Sequence, residues 1–476
     1  PAIKAIGEKK AERIFYLTAK TITRTVAKDT FSILIEQGYR AKTVIITAKD
    51  KLCPLEERRC NPDDCPYAKG HFDRINDTVY DALMDHDLFD VGLISEIAEE
   101  NMVCPFELNL DISSWCDNII CDYNYVFDPN VYLKRFFSEG IRSEAIFLID
   151  EAHNLVDRGR EMYSETLVKE DFLAIKKHVT LYKTAILKDI NKCNRIMLEY
   201  KKSLEEASHE SAKGDFIVLD DIDLLIFALT SLSVAMERYF EKLRRAKEKN
   251  SDDITELREV YFRIKNFLNL TENMDYGYEV YAEKNSDGEF CLHLFCVDPS
   301  RLIQERLDRG VAAVFFSATL LPVNYFKELL CRDDMPYAVY ANTIFEVSQS
   351  RIVISRDATS RYKQRGEDMY RRYARYIAGI IKSHPGNYIA FFPSYRFMDQ
   401  VELYFTEEAY DIDHTFIRQE RGMREADKDA FLKAFSDGDE GTLIGFCVLG
   451  GAFSEGIDLT NDRLIGAIIV GAGLPQ

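Results

Sequence analysis

The apolar run Ala145-Ile146-Phe147-Leu148-Ile149 ends directly on Asp150-Glu151-Ala152-His153. An unbroken run rich in β-branched and aromatic residues predicts a strand buried on both faces, and such strands belong to parallel sheets covered by helices. Two adjacent carboxylates at the carboxyl end of that strand stand where α/β nucleotide hydrolases hold Mg²⁺ and activate water. This narrows the fold class to α/β.

The flanking pattern agrees. Strand-like Arg13 to Leu17 leads into a helical stretch, Thr21 to Gln37, with Ile22, Val26, Phe31, Leu34 and Ile35 apolar. A β-branched run, Thr43 to Thr47, follows Gly38, and Asn118 to Phe127 and Val311 to Ser317 read as further strands. Between about Val168 and Asn273 the chain changes to long charged amphipathic helices, such as Phe227 to Lys249, and predicts an inserted helical domain. Tyr276 to Lys284 and Glu289 to Val297 flank Asn285-Ser286-Asp287-Gly288 as a hairpin. A second α/β alternation starts near Arg351, with strands Ile352 to Ser355, Asn387 to Phe392, Thr442 to Cys447 and Gly466 to Val470, and helices Tyr362 to Lys382 and Asp427 to Phe435.

With 476 residues, 46% of them hydrophobic, the chain can bury several cores. Its longest uncharged apolar stretches, such as Ala312 to Phe316, fall short of the roughly 20 residues of a membrane helix, so no membrane partner is expected. Pro1 to Lys10 carries no secretory pattern. Eleven cysteines then suit a reducing interior, as thiols or metal ligands. A net charge of −19 argues against a protein that coats nucleic acid, and leaves room for a motor with one basic groove.

Four of the cysteines, Cys53, Cys60, Cys65 and Cys104, are spaced Cys-x6-Cys-x4-Cys-x38-Cys in a segment rich in Pro, Asn and Asp, Lys51 to Pro105. The segment reads as a loop-built metal module. Thiolates suit a soft metal centre. A structural zinc site, with His71 replacing one cysteine, is the alternative, although close Cys-x2-Cys pairs are absent. The other seven cysteines read as buried thiols.

The order Tyr16-Leu17-Thr18-Ala19-Lys20, the four cysteines, Asp150 to His153, Ser317-Ala318-Thr319 and Gly450-Gly451-Ala452-Phe453-Ser454-Glu455-Gly456-Ile457-Asp458 resembles the iron-sulfur DNA helicases of superfamily two, of the xeroderma pigmentosum D and DinG kind. The resemblance implies two RecA-like parallel-sheet motor domains, with an iron-sulfur insertion and a helical arch insertion in the first. The expected division is a first motor domain over 1–50, 107–167 and 275–342, interrupted by a cluster domain at 51–106 and an arch at 168–274, and a second motor domain over 343–476. It further implies ATP-dependent movement 5′ to 3′ on single-stranded and forked DNA, in repair or recombination. The short arch and compact cysteine segment look bacterial, which implies a cytoplasmic, nucleoid-associated protein; a eukaryotic one would be nuclear.

Under this resemblance Asp150 holds Mg²⁺ and ATP, Glu151 polarises the attacking water, and His153 couples nucleotide state to Ser317-Ala318-Thr319. Glu455, Gly456 and Asp458 respond to nucleotide from the second domain. Cys53, Cys60, Cys65 and Cys104 carry a [4Fe-4S] cluster. DNA phosphate is met by Thr18, Lys20 and Thr21 at a strand-to-helix corner, and by Ser394, Tyr395 and Arg396 after the Asn387 strand. Taken alone, Gly450 to Asp458 is equally a glycine-rich turn, and the Arg- and Tyr-rich stretch Tyr362 to Tyr376, although its aromatic faces and cations are what unstacked bases and phosphates need, reads first as a packed amphipathic helix. The chain carries no Gly-x4-Gly-Lys-Ser/Thr loop and ends at Gly471-Ala472-Gly473-Leu474-Pro475-Gln476. It therefore reads as an internal fragment, or as a catalytically dead relative, that does not hydrolyse ATP by itself. A related ATP-dependent nuclease and a metal-stabilised, nonenzymatic DNA-binding scaffold are the competing functions.

Overall fold

A computed structural model describes the chain apart from residues 20, 139–142, 180–182, 211–215, 246–251, 333–335, 344, 436–440, 455 and 472–476, and gives backbone only at Thr21 and a few other positions. It divides into a unit of residues 1–19 and 27–338 and a unit of residues 20–26 and 339–476.

The first unit contains strands β1 (Arg13–Thr18), β2 (Thr43–Ile45), β3 (Leu88–Phe89), β4 (Asn118–Asp122), β5 (Ala145–Asp150), β6 (Glu165–Val168), β7 (Phe216–Val218), β8 (Tyr278–Lys284), β9 (Phe290–Cys296) and β10 (Ala312–Phe316). Six of them form a parallel sheet in the order β10-β5-β1-β4-β2-β3. The apolar run before Asp150 is thus an inner strand, paired with β1 on one side and β10 on the other. Phe15 and Phe147 are fully buried, and Phe137 lies 5.0 Å from the Phe15 ring and 5.7 Å from the Phe147 ring. Each such side chain contributes about 1.5–3 kcal/mol on leaving water, so these three rings alone tie β1 to β5 firmly. Register sets Thr18 level with Asp122 and Asp150 level with Phe316, and the carboxyl ends of four strands form one edge.

The remaining four strands make an antiparallel sheet, β6-β9-β8-β7, whose hairpin turns at Gly288 with φ +79°. Four helices accompany it, Lys169–His178, Lys183–Glu210, Asp223–Arg245 and Asp252–Thr271. Their apolar faces, including Ile190, Leu229, Met236 and Phe267, run into the same hydrophobic core as the parallel sheet. Long helices thus fill this stretch, beside the hairpin.

Three expectations in this unit need correction. Asn118 to Phe127 is a strand only to Asp122, because Asp122 Oδ1 accepts from Asn124 N at 3.0 Å and starts the helix Asn124–Phe127. The cysteine segment is loop-built only around Cys53, Cys60 and Cys65; beyond them it folds as helices His71–Asp85 and Val91–Glu100, whose Ile75, Val79, Ile94 and Ile97 are buried. It also returns a strand, β3, to the edge of the parallel sheet.

The second unit holds β11 (Asn387–Phe392), β12 (Thr415–Arg418), β13 (Leu443–Val448) and β14 (Gly466–Ile469), all parallel in the order β12-β13-β11-β14. Helices Glu367–Ser383, Tyr395–Glu408 and Glu425–Lys433 accompany them. Ile352 to Ser355 is not a strand: Ile352, Val353 and Ile354 are at least 80% exposed, and β propensity without a pairing edge does not hold a strand. Arg371 and Arg375 bind Glu408 and Arg372 binds Asp357, so most of the cations of the Tyr362 to Tyr376 stretch pack within the unit, as in its amphipathic-helix reading. No helix among the described residues is long and apolar enough to cross a membrane.

A Cβ added at Gly310, just before β10, would stand 2.5 Å from Phe147 Cε2 and 2.8 Å from the Ala145 carbonyl oxygen. Gly310→Ala is expected to destabilise the first unit by about 1–3 kcal/mol, read as a lower denaturant midpoint at unchanged slope.

Candidate active site and cysteine module

Asp150 and Glu151 occupy the turn at the carboxyl end of β5. Asp150 Oδ2 accepts from Tyr16 Oη of β1 at 3.0 Å, and Oδ1 accepts from its neighbour's amide, Glu151 N, at 2.9 Å. Burial raises the Asp150 pKa above the ordinary carboxylate value, and the Tyr16 bond opposes that rise. Burial and the Asp150 charge both push the Tyr16 phenol up, so it stays a proton donor. A second phenol, Tyr123, fully buried, donates to the carbonyl of Asp150 and to that of Glu151 at 3.1 Å.

Glu151 has φ +49°, the left-handed region that a residue bearing Cβ avoids at a cost of about 1–2 kcal/mol. Its carbonyl is held by Asn154 N at 2.9 Å, Asn154 Nδ2 at 3.2 Å and Tyr123. This unusual turn swings the Glu151 carboxylate toward the end of β10, where Ser317 Oγ donates to Glu151 Oε2 at 2.7 Å. A serine hydroxyl has one proton, and with it given to Glu151 the 2.9 Å contact between Ser317 Oγ and His153 Nδ1 assigns the imidazole proton to Nδ1. Thr319 N closes the group by donating to Ser317 Oγ at 3.2 Å. Asp150, Glu151, His153, Ser317 and Thr319 therefore form one connected site.

Thr18 is fully buried at the neighbouring strand end, its hydroxyl 3.5 Å from the Cys121 carbonyl, so that hydroxyl faces the fold and not a phosphate. Lys20 and the Thr21 side chain lie outside the described residues.

In the second unit, Ser394 Oγ caps the helix Tyr395–Glu408 by accepting from Phe397 N at 3.2 Å, which commits it to the fold. Tyr395 lies under Arg421, 4.9 Å from ring to guanidinium, and Arg396 is exposed. Gly450 to Asp458 leaves the carboxyl end of β13 as a turn with φ +73° at Gly450 and +72° at Gly456; Asp458 is exposed and Glu455 lies outside the described residues. Gln419, buried at the end of β12, joins these two segments: Nε2 donates to Tyr395 Oη at 2.9 Å and Oε1 accepts from Val448 N at 3.1 Å. A Cβ at Gly451 would meet Gln419 at 2.6 Å, which explains a glycine there. Sequence reasoning missed Tyr16 as a partner of Asp150, and missed Tyr123 and Gln419 altogether; each is an ordinary strand-end residue whose partner is remote in sequence.

In the cysteine module, Cys60 is exposed, Cys53 and Cys104 are half-buried and Cys65 is buried. Lys49 stands against Cys60, and that contact holds its ammonium above its ordinary value, with Cys104 adding in the same sense. Burial pushes the Cys104 thiol up. His71 Nδ1 accepts from Cys104 N at 3.2 Å, which leaves only Nε2 for any metal. Among the described residues no three His, Cys, Asp or Glu side chains are disposed together to hold a metal ion. The four thiols do not form a ready ligand set for a cluster or for zinc in this arrangement.

Two substitutions test the electrostatics. Tyr16→Phe removes the donor that favours the Asp150 carboxylate, so a carboxyl ¹³C titration should show the Asp150 midpoint rising further; an unchanged midpoint would remove Tyr16 from the site. Because the folded-state Asp150 value is raised above the ordinary carboxylate value, its charge costs stability in full above the folded midpoint, and the cost fades to nothing only below the unfolded one. Asp150→Asn should accordingly raise Tm at pH 7, with the gain shrinking as pH falls through the Asp150 titration.

The Helicase C-terminal domain family matches residues 377–476 and the DEAD_2 family residues 33–172. The ATP-dependent DNA helicase CHL1 of Candida albicans is 22% identical over 447 residues, 81% of this chain and 51% of that protein. Its namesake in Coccidioides immitis is 22% identical over 459 residues, 86% of this chain and 52% of that protein. The chain thus spans about half the length of the curated relatives it matches. Among solved structures, an XPD helicase aligns over 100% of this chain and 84% of its own at 18% identity and TM-score 0.47, and S. tokodaii Xpd4 over 99% and 82% at 14% identity and TM-score 0.45. One matched family thus holds the Asp150 strand and the four cysteines, and the other, a helicase C-terminal domain, holds the second parallel sheet.

Proposed function

We propose that this chain is the motor region of an ATP-dependent DNA helicase that moves 5′ to 3′ along single-stranded DNA and opens forked duplexes in repair or recombination. The observation that carries the reading is the Glu151–Ser317–His153 link at the carboxyl edge of the first parallel sheet. A half-buried carboxylate at a strand end is a hard oxygen donor of the kind Mg²⁺ takes, so Asp150 is the residue that would hold a magnesium nucleotide. Bound there, Mg²⁺ would neutralise charge developing on the transferred phosphoryl group. Glu151 acts as the base: one carboxylate oxygen is fixed by Ser317 and the other is left to orient and deprotonate water. Ser317 reports the state of that carboxylate to His153 and Thr319. In a full-length protein that also carries a phosphate-binding loop, Glu151→Gln should lower ATP turnover by at least about 100-fold while nucleotide binding is kept. Steady-state hydrolysis and fluorescent-nucleotide titration separate the two, and retained turnover would remove the role.

Tyr395 and Arg396 form the proposed DNA contact of the second unit, on the helix that Ser394 caps, with Arg396, exposed and in no ion pair among the described residues, as its cation and the Tyr395 and Arg421 pair as its aromatic surface. Cys53, Cys60, Cys65 and Cys104 are the proposed [4Fe-4S] ligands. Their spacing, with the first three on one loop, supports this. Anaerobically purified protein should hold about four iron and four sulfide per chain, lost together in Cys53→Ser or Cys104→Ser. Zinc without iron would make the module a structural zinc site. Such a protein works at the chromosome, in the nucleus or the bacterial nucleoid.

A further inference from the structure

Outside the strand-edge sites and the thiols, the outward face of the helix His71–Asp85 is unexplained by anything the first unit needs. Its inward face, Ile75, Thr78, Val79 and Ala82, is buried. On the outward side two neighbouring i±4 ridges run along the helix. One carries Phe72, Asn76, Tyr80 and Met84, and Phe72, Tyr80 and Met84 are 86%, 65% and 68% exposed. The other carries Asp73, Asp77, Asp81 and Asp85, all exposed and none in an ion pair among the described residues. The helix's own cation does not neutralise them, because the Arg74 guanidinium is spent on the carbonyls of Lys69 at 2.8 Å and Asn101 at 3.0 Å. The apolar ridge spans about 18 Å, some three turns of a partner helix.

We propose that this face docks a basic amphipathic helix of another protein. The apolar ridge supplies the contact: three large side chains held out into water on a rigid helix, in a row that fits the groove of a second helix. Charge decides the occupant. Four unpaired aspartates beside the ridge complement lysine and arginine and repel phosphate, so the exposed rings are not a base-stacking platform, which requires a basic groove. The inference does not depend on the helicase reading, since it uses no residue of the nucleotide or thiol sites.

The probe is a fluorescein-labelled peptide of about 20 residues with leucines at heptad a and d positions and lysines elsewhere, followed by anisotropy against the whole chain. Phe72→Ser/Tyr80→Ser/Met84→Ser and Asp73→Asn/Asp77→Asn/Asp81→Asn are each expected to weaken binding by at least about tenfold, and the charge-matched control Glu96→Gln/Glu99→Gln/Glu100→Gln by less than about twofold. All nine positions are exposed, and circular dichroism checks that the fold is kept. No binding to the unsubstituted chain, an equal loss in the control, or no loss in the apolar variant would overturn the proposal. So would a loss of oligothymidylate binding in either face variant, which would make this a nucleic-acid surface.

Discussion

The parallel pairing of β5 between β1 and β10 is the constraint on which the first unit depends. Parallel strands start together, so their carboxyl ends finish together, and Asp150, Phe316 and Thr18 arrive at one edge from parts of the chain up to roughly 300 residues apart. The pairing is maintained by rings buried under the sheet, Phe15, Phe137 and Phe147, and leaves the edge free for polar groups. Shifting β10 by one residue would carry Ser317 away from Glu151 and open the site without changing a single side chain.

Polar chemistry at that edge is built by covering its cost. A half-buried carboxylate and a left-handed glutamate are both unfavourable alone. Tyr16 answers the first with a phenol to Asp150, and Tyr123 and Asn154 answer the second by holding the Glu151 carbonyl. The same logic recurs in the second unit, where Gln419 ties the β13 end to Tyr395. In each case a buried donor or acceptor from a neighbouring strand end orients a loop that must stay exposed to act.

The cysteine module shows a different balance. Its helices belong to the core of the sheet through Ile75, Val79, Ile94 and Ile97, whereas Cys53 and Cys60 sit on a loop with little buried surface. Packing accounts for the platform and not for the loop, and of the four thiols Cys104 is tied to the helix His71–Asp85 through its amide and His71 Nδ1. The outward ridges of His71–Asp85 show that this platform presents a surface as well as a support.

From sequence alone, the element types of both sheets, the hairpin at Asn285 to Gly288, the helical character of the stretch before it and the Asp150 strand end were legible, because periodicity and turn chemistry are local and repeat along the chain. The resemblance named the helicase family from five short motifs. Tertiary structure alone decided that Asn118 to Phe127 breaks into a helix at Asp122, that Ile352 to Ser355 stays unpaired, and that most of the cysteine segment is helical. It alone brought Tyr16 to Asp150, Ser317 to Glu151 and Gln419 to Tyr395. Such pairs join residues 24 to 166 positions apart, and a hydrogen bond leaves no period in the sequence by which either partner announces the other.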